Sequence, residues 1–173
     1  AHNWQQGGKA GYGTSASAET LEHLDAIGVT HVSLTPFGWM DSAQSAEIRG
    51  EHTSKKAVPE GGETTDRLRG VVEQAKAREL RVMLKPHLWI RGGAWRGEID
   101  PGSEQGWQAW WESYEAFMVY YAKVASELGV DSLVVGVELV SAVRHGPDRF
   151  VALIGAVREV YKGELVYSAN WDE

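Results

Sequence analysis

Apolar residues recur along this chain in two alternating rhythms. Near-continuous runs rich in Val, Leu and Ile occupy residues 29–37, 80–89, 131–139 and 165–170. Between them, apolar positions return at three- and four-residue steps: Leu21, Leu24 and Ile27, then Leu68, Val71, Val72 and Ala75. The longest such stripe is Trp107, Trp110, Trp111, Tyr114, Phe117, Met118, Tyr121, Ala125 and Leu128, and the last is Phe150, Leu153, Ile154, Val157 and Tyr161. A short continuous run fits a strand buried on both faces, and the 3.6-residue step fits a helix with one buried face. Ser17, Asp66 and Pro147 are the expected helix starts, with Gly28, Gly129 and Gly163 as stops. Residues 1–4 read as the end of a further strand. The polar stretches 38–63 and 91–106 lack periodicity and read as loops of the length that compact domains reserve for function.

Strands alternating with helices predict βαβ units, parallel pairing and right-handed crossovers. A complete (β/α)8 barrel takes eight strands and about 250 residues. The pattern here supplies four strands and the tail of a fifth. The expectation is an α/β fold: a single domain over residues 1–173 forming a partial (β/α)8 TIM barrel, about strands 1–5. Both ends fall at strands, so the last three strands are expected outside this sequence.

Composition narrows the chemistry. A net charge of −7 argues against nucleic acid or an anionic membrane as partner. The sequence has no run near the ~20 apolar residues of a membrane span. Cysteine is absent, which removes disulfides and thiolate chemistry and leaves the compartment open, secreted or cytoplasmic. The chain opens on Ala1 rather than Met, as after removal of a leader or in a piece of a longer protein, and no signal peptide is visible. The glycines of residues 7–13 match neither the dinucleotide nor the P-loop spacing, so no cofactor is expected.

Parallel strands bring their C-terminal ends to one face, and in a (β/α) barrel that face carries the active site. Those ends hold Asn3 and Trp4; Trp39; Lys85, His87 and Trp89; Glu138; and Asn170 and Trp171. Four of the eight tryptophans fall there. Indole faces stack on sugar C–H surfaces while amides and carboxylates pair hydroxyls, so this set suits a saccharide. The plainer reading of any one Trp is a plug for the barrel mouth, and of Glu138 a structural pairing with a nearby Arg or Lys. The stripe from Trp107 to Leu128 is read as core.

The succession VSLTPFGW, RVMLKPHLWIRGGAWRGEI, WQAWWESYEAFMVYYAKVA, VVGVELV and VREVYKGELVYSANWDE resembles glycoside hydrolase family 113 along nearly the whole chain. That resemblance implies a retaining (β/α)8 glycosidase acting on β-1,4-mannan. It implies that Glu138, closing the fourth strand, is the acid/base, and that a nucleophile Glu closes a seventh strand not present here. Retention needs two carboxyl groups about 5–5.5 Å apart. The acid/base is expected to have a raised pKa from its apolar strand end and a neighbouring carboxylate. Many members of the wider clan place Asn before the acid/base; this chain has Val137, leaving Asn3 or Asn170 for that contact.

Two alternatives differ in class. One is a metal-dependent hydrolase using His2, His87 and Glu138, although no HxH or HExxH pair exists, so no metal is assigned. The other is a non-catalytic partial barrel that binds saccharide or assembles with a C-terminal half-barrel or a second copy. An open sheet exposes unpaired strand edges, which favours association.

Overall fold

The computed structural model describes residues 10–54 and 63–171. Its elements run α1 (Ser15–Ala26), β1 (His31–Leu34), β2 (Phe37–Met40), α2 (Thr65–Lys76), β3 (Arg81–Leu84) and β4 (His87–Ile90). They continue with α3 (Glu104–Leu128), β5 (Ser132–Val137), α4 (Val140–His145), α5 (Pro147–Val160) and β6 (Glu164–Ser168). Two 3-10 turns, Arg91–Gly93 and Arg96–Glu98, lie between β4 and α3. The described residues therefore build part of a (β/α)8 barrel, with strand order β1-β3-β5-β6 and every pairing parallel.

The two expected long strands are each interrupted once, and the reason is proline. Pro36 and Pro86 lack the N–H that a ladder needs. The pairing nevertheless resumes in the same register, because His31 faces Arg81 and Phe37 faces His87. Lys85 N–H donates to Leu34 O and His87 N–H to Pro36 O, which carries the ladder past the gap. So β1–β2 and β3–β4 act as two barrel strands, and Phe37–Met40 belongs to the sheet, whereas the sequence closed the strand at Phe37 and began a loop at Gly38.

Alternation within these strands separates core from site. Leu34, Gly38, Met40, Leu84, Leu88 and Ile90 are buried against the helical layer, while Phe37, Trp39, Lys85, His87 and Trp89 keep partial exposure. β5 is buried along its whole length, as the apolar run predicted. α3 carries the expected stripe, from Trp107 to Leu128 all buried, and stops at Gly129 in the left-handed region. Tyr114 hydroxyl donates to Val135 O and Tyr161 hydroxyl to Val130 O, tying α3 and the end of α5 to β5 and the turn before it.

The helix boundaries move in places. Thr14 and Thr64, not Ser17 and Asp66, cap α1 and α2, each hydroxyl accepting from an N–H three residues on. Ile27 is 63% exposed, because α1 ends at Ala26 and Ile27 has left the buried face. α5 stops at Val160 rather than running on to Gly163. α4 lacks periodicity of its own and was not expected. The stretch read as a long polar loop also buries Ala43, Ile48 and Glu51. Glu51 accepts from Thr65 N–H (2.5 Å) and Thr65 hydroxyl (2.8 Å), anchoring that loop to the start of α2. Among the described residues no helix is long and apolar enough to cross a membrane.

Candidate active site

β5 delivers Glu138 to the C-terminal end of the sheet. A register shift between Val134 and Gly136 accompanies its last residues, the kind of bulge that re-aims side chains at strand ends. Gly136 is required there. A Cβ would lie 2.8 Å from the Tyr167 ring, and Tyr167 hydroxyl accepts from Leu139 N–H at 3.0 Å. Glu138 N–H donates to Ser168 O (2.9 Å), and its φ is +51°, a left-handed value that costs a non-glycine residue about 1–2 kcal/mol. Strain of this kind collects at functional sites.

The Glu138 carboxylate is 31% exposed and held by one oxygen. Oε2 accepts from Trp95 Nε1 (3.1 Å) and from Arg96 Nη1 (2.9 Å). Its pKa is therefore lowered, chiefly by the Trp95 hydrogen bond, with partial burial opposing and Arg96 and His87 adding to the fall. The expected raised pKa is corrected here: two donors and two neighbouring positive or protonatable groups outweigh the apolar strand end. The pairing of Glu138 with an Arg also realises the plainer structural reading, and Arg96 and Trp95 are site residues that the sequence reading passed over. The only sign of them was WRG inside the stretch 91–106.

An aromatic wall stands beside the carboxylate. Phe37, Trp39, His87 and Trp89 project from one face of β2 and β4. Trp39 and Trp89 are register partners with rings 6.3 Å apart, and Phe37 lies 5.4 Å from His87 and 5.9 Å from Trp89. Trp89 is 47% exposed. His87 Nδ1 lies 3.0 Å from Leu88 O; a carbonyl only accepts, so Nδ1 carries the hydrogen and Nε2 is left as an acceptor. Burial first, then Arg96, with Lys85 adding to the effect, lowers the His87 pKa to about 4, so the ring is neutral near pH 7. Lys85 Nζ reaches across β5 to donate to Ser168 Oγ (3.2 Å).

Of the sequence-predicted set, Trp39, Lys85, His87, Trp89 and Glu138 sit on this face. Asn170 is partly buried just past β6. Trp171 is 92% exposed. Asn3 and Trp4, with His2 of the metal alternative, lie outside the described residues. Among those described, no three His, Asp or Glu side chains converge as metal ligands. A cavity of about 550 Å³ lies between the N-terminal end of α3 and the α4–α5 junction, and none of these site residues lines it. It is lined by Trp107, Trp111 and His145, and His145 stacks flat on Trp107 at 4.4 Å.

The sequence profile of Glycoside Hydrolase Family 113 matches residues 2–173. The chain belongs to glycoside hydrolase family 113. Among solved structures it is similar to the family 113 β-mannanase AaManA from Alicyclobacillus acidocaldarius in complex with ManMIm, at 30% identity and a TM-score of 0.83. That match covers 92% of this chain and 50% of the other. A complex structure of a family 113 β-1,4-mannanase and a structure of a family 113 β-1,4-mannanase each match at 30% identity and a TM-score of 0.77, over 92% of this chain and 51% of the other. The chain thus spans about half the length of these relatives. No curated protein sequence matches it. The partial barrel is that of a family 113 chain.

Proposed function

We propose that this chain carries the acid/base half of a retaining site that hydrolyses β-1,4-linked mannan. Glu138 is the acid/base, and the nucleophile is a carboxylate on a strand that this sequence does not contain. The observation that carries the reading is the juxtaposition of one carboxylate at the end of β5 with the partly exposed indoles of β2 and β4. As the carboxylic acid, Glu138 donates its proton to the leaving oxygen, and the carboxylate so formed later takes a proton from the attacking water. Trp39 and Trp89 stack on sugar rings, neutral His87 accepts a hydroxyl hydrogen at Nε2, and Lys85 donates. Asn170, with Asn3, Trp4 and Trp171, extends the saccharide contacts.

The activity of the relatives supports the substrate class: they are β-mannanases, one of them solved in complex with ManMIm. The partner is a segment that completes the barrel, in the same polypeptide or another, or a second copy. Among the described residues β1 pairs only with β3 and β6 only with β5. Without the nucleophile the 173-residue chain binds saccharide but does not turn it over.

Glu138→Gln, tested in an assembly that restores the missing strands, separates the roles. Turnover of substrates with poor leaving groups should fall steeply, while an aryl mannoside with a good leaving group should suffer much less, because its departure needs little protonation. Equal loss on both substrates would overturn the acid/base assignment.

A further inference from the structure

Two side chains from one loop converge on a single oxygen of Glu138, and the loop is built so that they do. Gly97 has no side chain, and a Cβ there would stand 2.5 Å from the Trp95 ring, so the indole folds back over Gly97. That fold-back decides where Nε1 points. The turn Arg96–Glu98 packs on α4 and β4, and the Arg96 side chain is only 22% exposed. The peptide N–H of Glu138 donates to Ser168 O. Backbone and Oε2 are thus both held, and Oε1 is left.

An indole N–H and a guanidinium donate hydrogen bonds and accept none. A proton placed on Oε2 would face two donors and displace both. On Oε1 it disturbs neither. We propose that Trp95 and Arg96 are positioning residues that grip Glu138 by Oε2 and confine its proton to Oε1, the oxygen that faces the glycosidic bond. The proposal rests on the acid/base reading of Glu138. In the first step the proton leaves Oε1 for the departing oxygen as the C–O bond breaks; in the second, Oε1 takes a proton from the attacking water, and the carboxyl is restored. The grip favours the carboxylate over the acid, in the direction already given for its pKa. The charged or protonatable groups that bear on this carboxyl are Arg96 and His87, with Lys85 acting on His87. Protonation of Glu138 weakens the charge-assisted bonds to Arg96 and Trp95, so the loop senses the state of the acid.

The test uses the 173-residue chain labelled with ¹⁵N at tryptophan, with the Trp95 indole N–H assigned by its loss in Trp95→Phe. Titrated downward from pH 7, that signal should move in one step that is absent in Glu138→Gln. In Arg96→Met the step should move to higher pH, because a cation stabilising the carboxylate is gone; Arg96→Lys should restore part of the difference. Where Arg96→Met does not fold by circular dichroism, Gly97→Ala replaces it. The added Cβ expels the indole, and the Trp95 signal should then lose its dependence on Glu138. A Trp95 signal indifferent to Glu138→Gln, or a step unmoved by Arg96→Met or by Gly97→Ala, overturns the grip. These outcomes are separate from the leaving-group assay: failure there removes the acid/base role and leaves the Trp95 titration standing, while failure here leaves the leaving-group contrast standing.

Discussion

Trp110 and Trp89 are the same residue type with opposite duties, and replacing each by Ala separates them. Trp110 is fully buried, stacked on Tyr114 (5.0 Å, 9°) and edge-on to Trp111 (5.0 Å, 82°) and Trp107 (5.8 Å, 76°). Truncating a buried Trp to Ala costs about 3–5 kcal/mol. That is a large part of the roughly 5–15 kcal/mol that holds a domain together. Trp110 Nε1 is buried without a hydrogen-bond partner, and such a group costs about 1–3 kcal/mol. Trp110→Phe gives up ring area but removes that unpaired donor, so the two changes offset to within about 1 kcal/mol. Trp89 is half-exposed. Burying roughly half of the 150–250 Å² an aromatic ring presents is worth about 2–3 kcal/mol at about 25 cal/mol per Å². Trp89→Ala should therefore cost less than Trp110→Ala while weakening mannooligosaccharide binding. Urea midpoints at unchanged m-value measure the stabilities, and quenching of Trp fluorescence measures the binding. Two results would refute the reasoning: Trp110→Ala within about 1 kcal/mol of the parent, or Trp110→Phe as costly as Trp110→Ala.

Three further outcomes are expected. His87, with its pKa lowered to about 4 from 6.5, binds a proton in the unfolded chain before it does in the folded one. Stability should therefore fall as pH drops from about 6.5 toward 4 and rise again on returning. The full shift is worth about 3 kcal/mol, and partial exposure screens it to the order of 1–2; pH-dependent urea melts of His87→Gln, which should lose this component, check it. Gly38→Ala should destabilise by about 1–3 kcal/mol, since its Cβ would meet the Phe117 ring at 2.8 Å and Ile48 at 2.9 Å, and thermal melts read the loss. The isolated chain should show no mannanase turnover above background on soluble mannan, and turnover that vanishes in Glu173→Gln would contradict this by naming a nucleophile within the chain.

What the sequence determined by itself was everything carried by periodicity. The α3 stripe from Trp107 to Leu128, the all-buried β5 and the alternation of strands with helices were legible because burial selects apolar residues at spacings set by local geometry. Parallel strands then placed Trp39, His87, Trp89 and Glu138 on one face without any contact being known. Other features came only with the fold. Phe37–Met40 joins the sheet because its partner His87–Ile90 offers a ladder in register beyond Pro36, which no local rule at Gly38 announces. The direction of the Glu138 pKa was misjudged because the charge and hydrogen bonds that determine it come from residues 42 and 43 positions earlier, at distances that close only when the loop folds back. Hydrophobic pattern is a property of each segment. The electrostatics of a site belongs to the meeting of segments, and only the tertiary structure decides which of them meet.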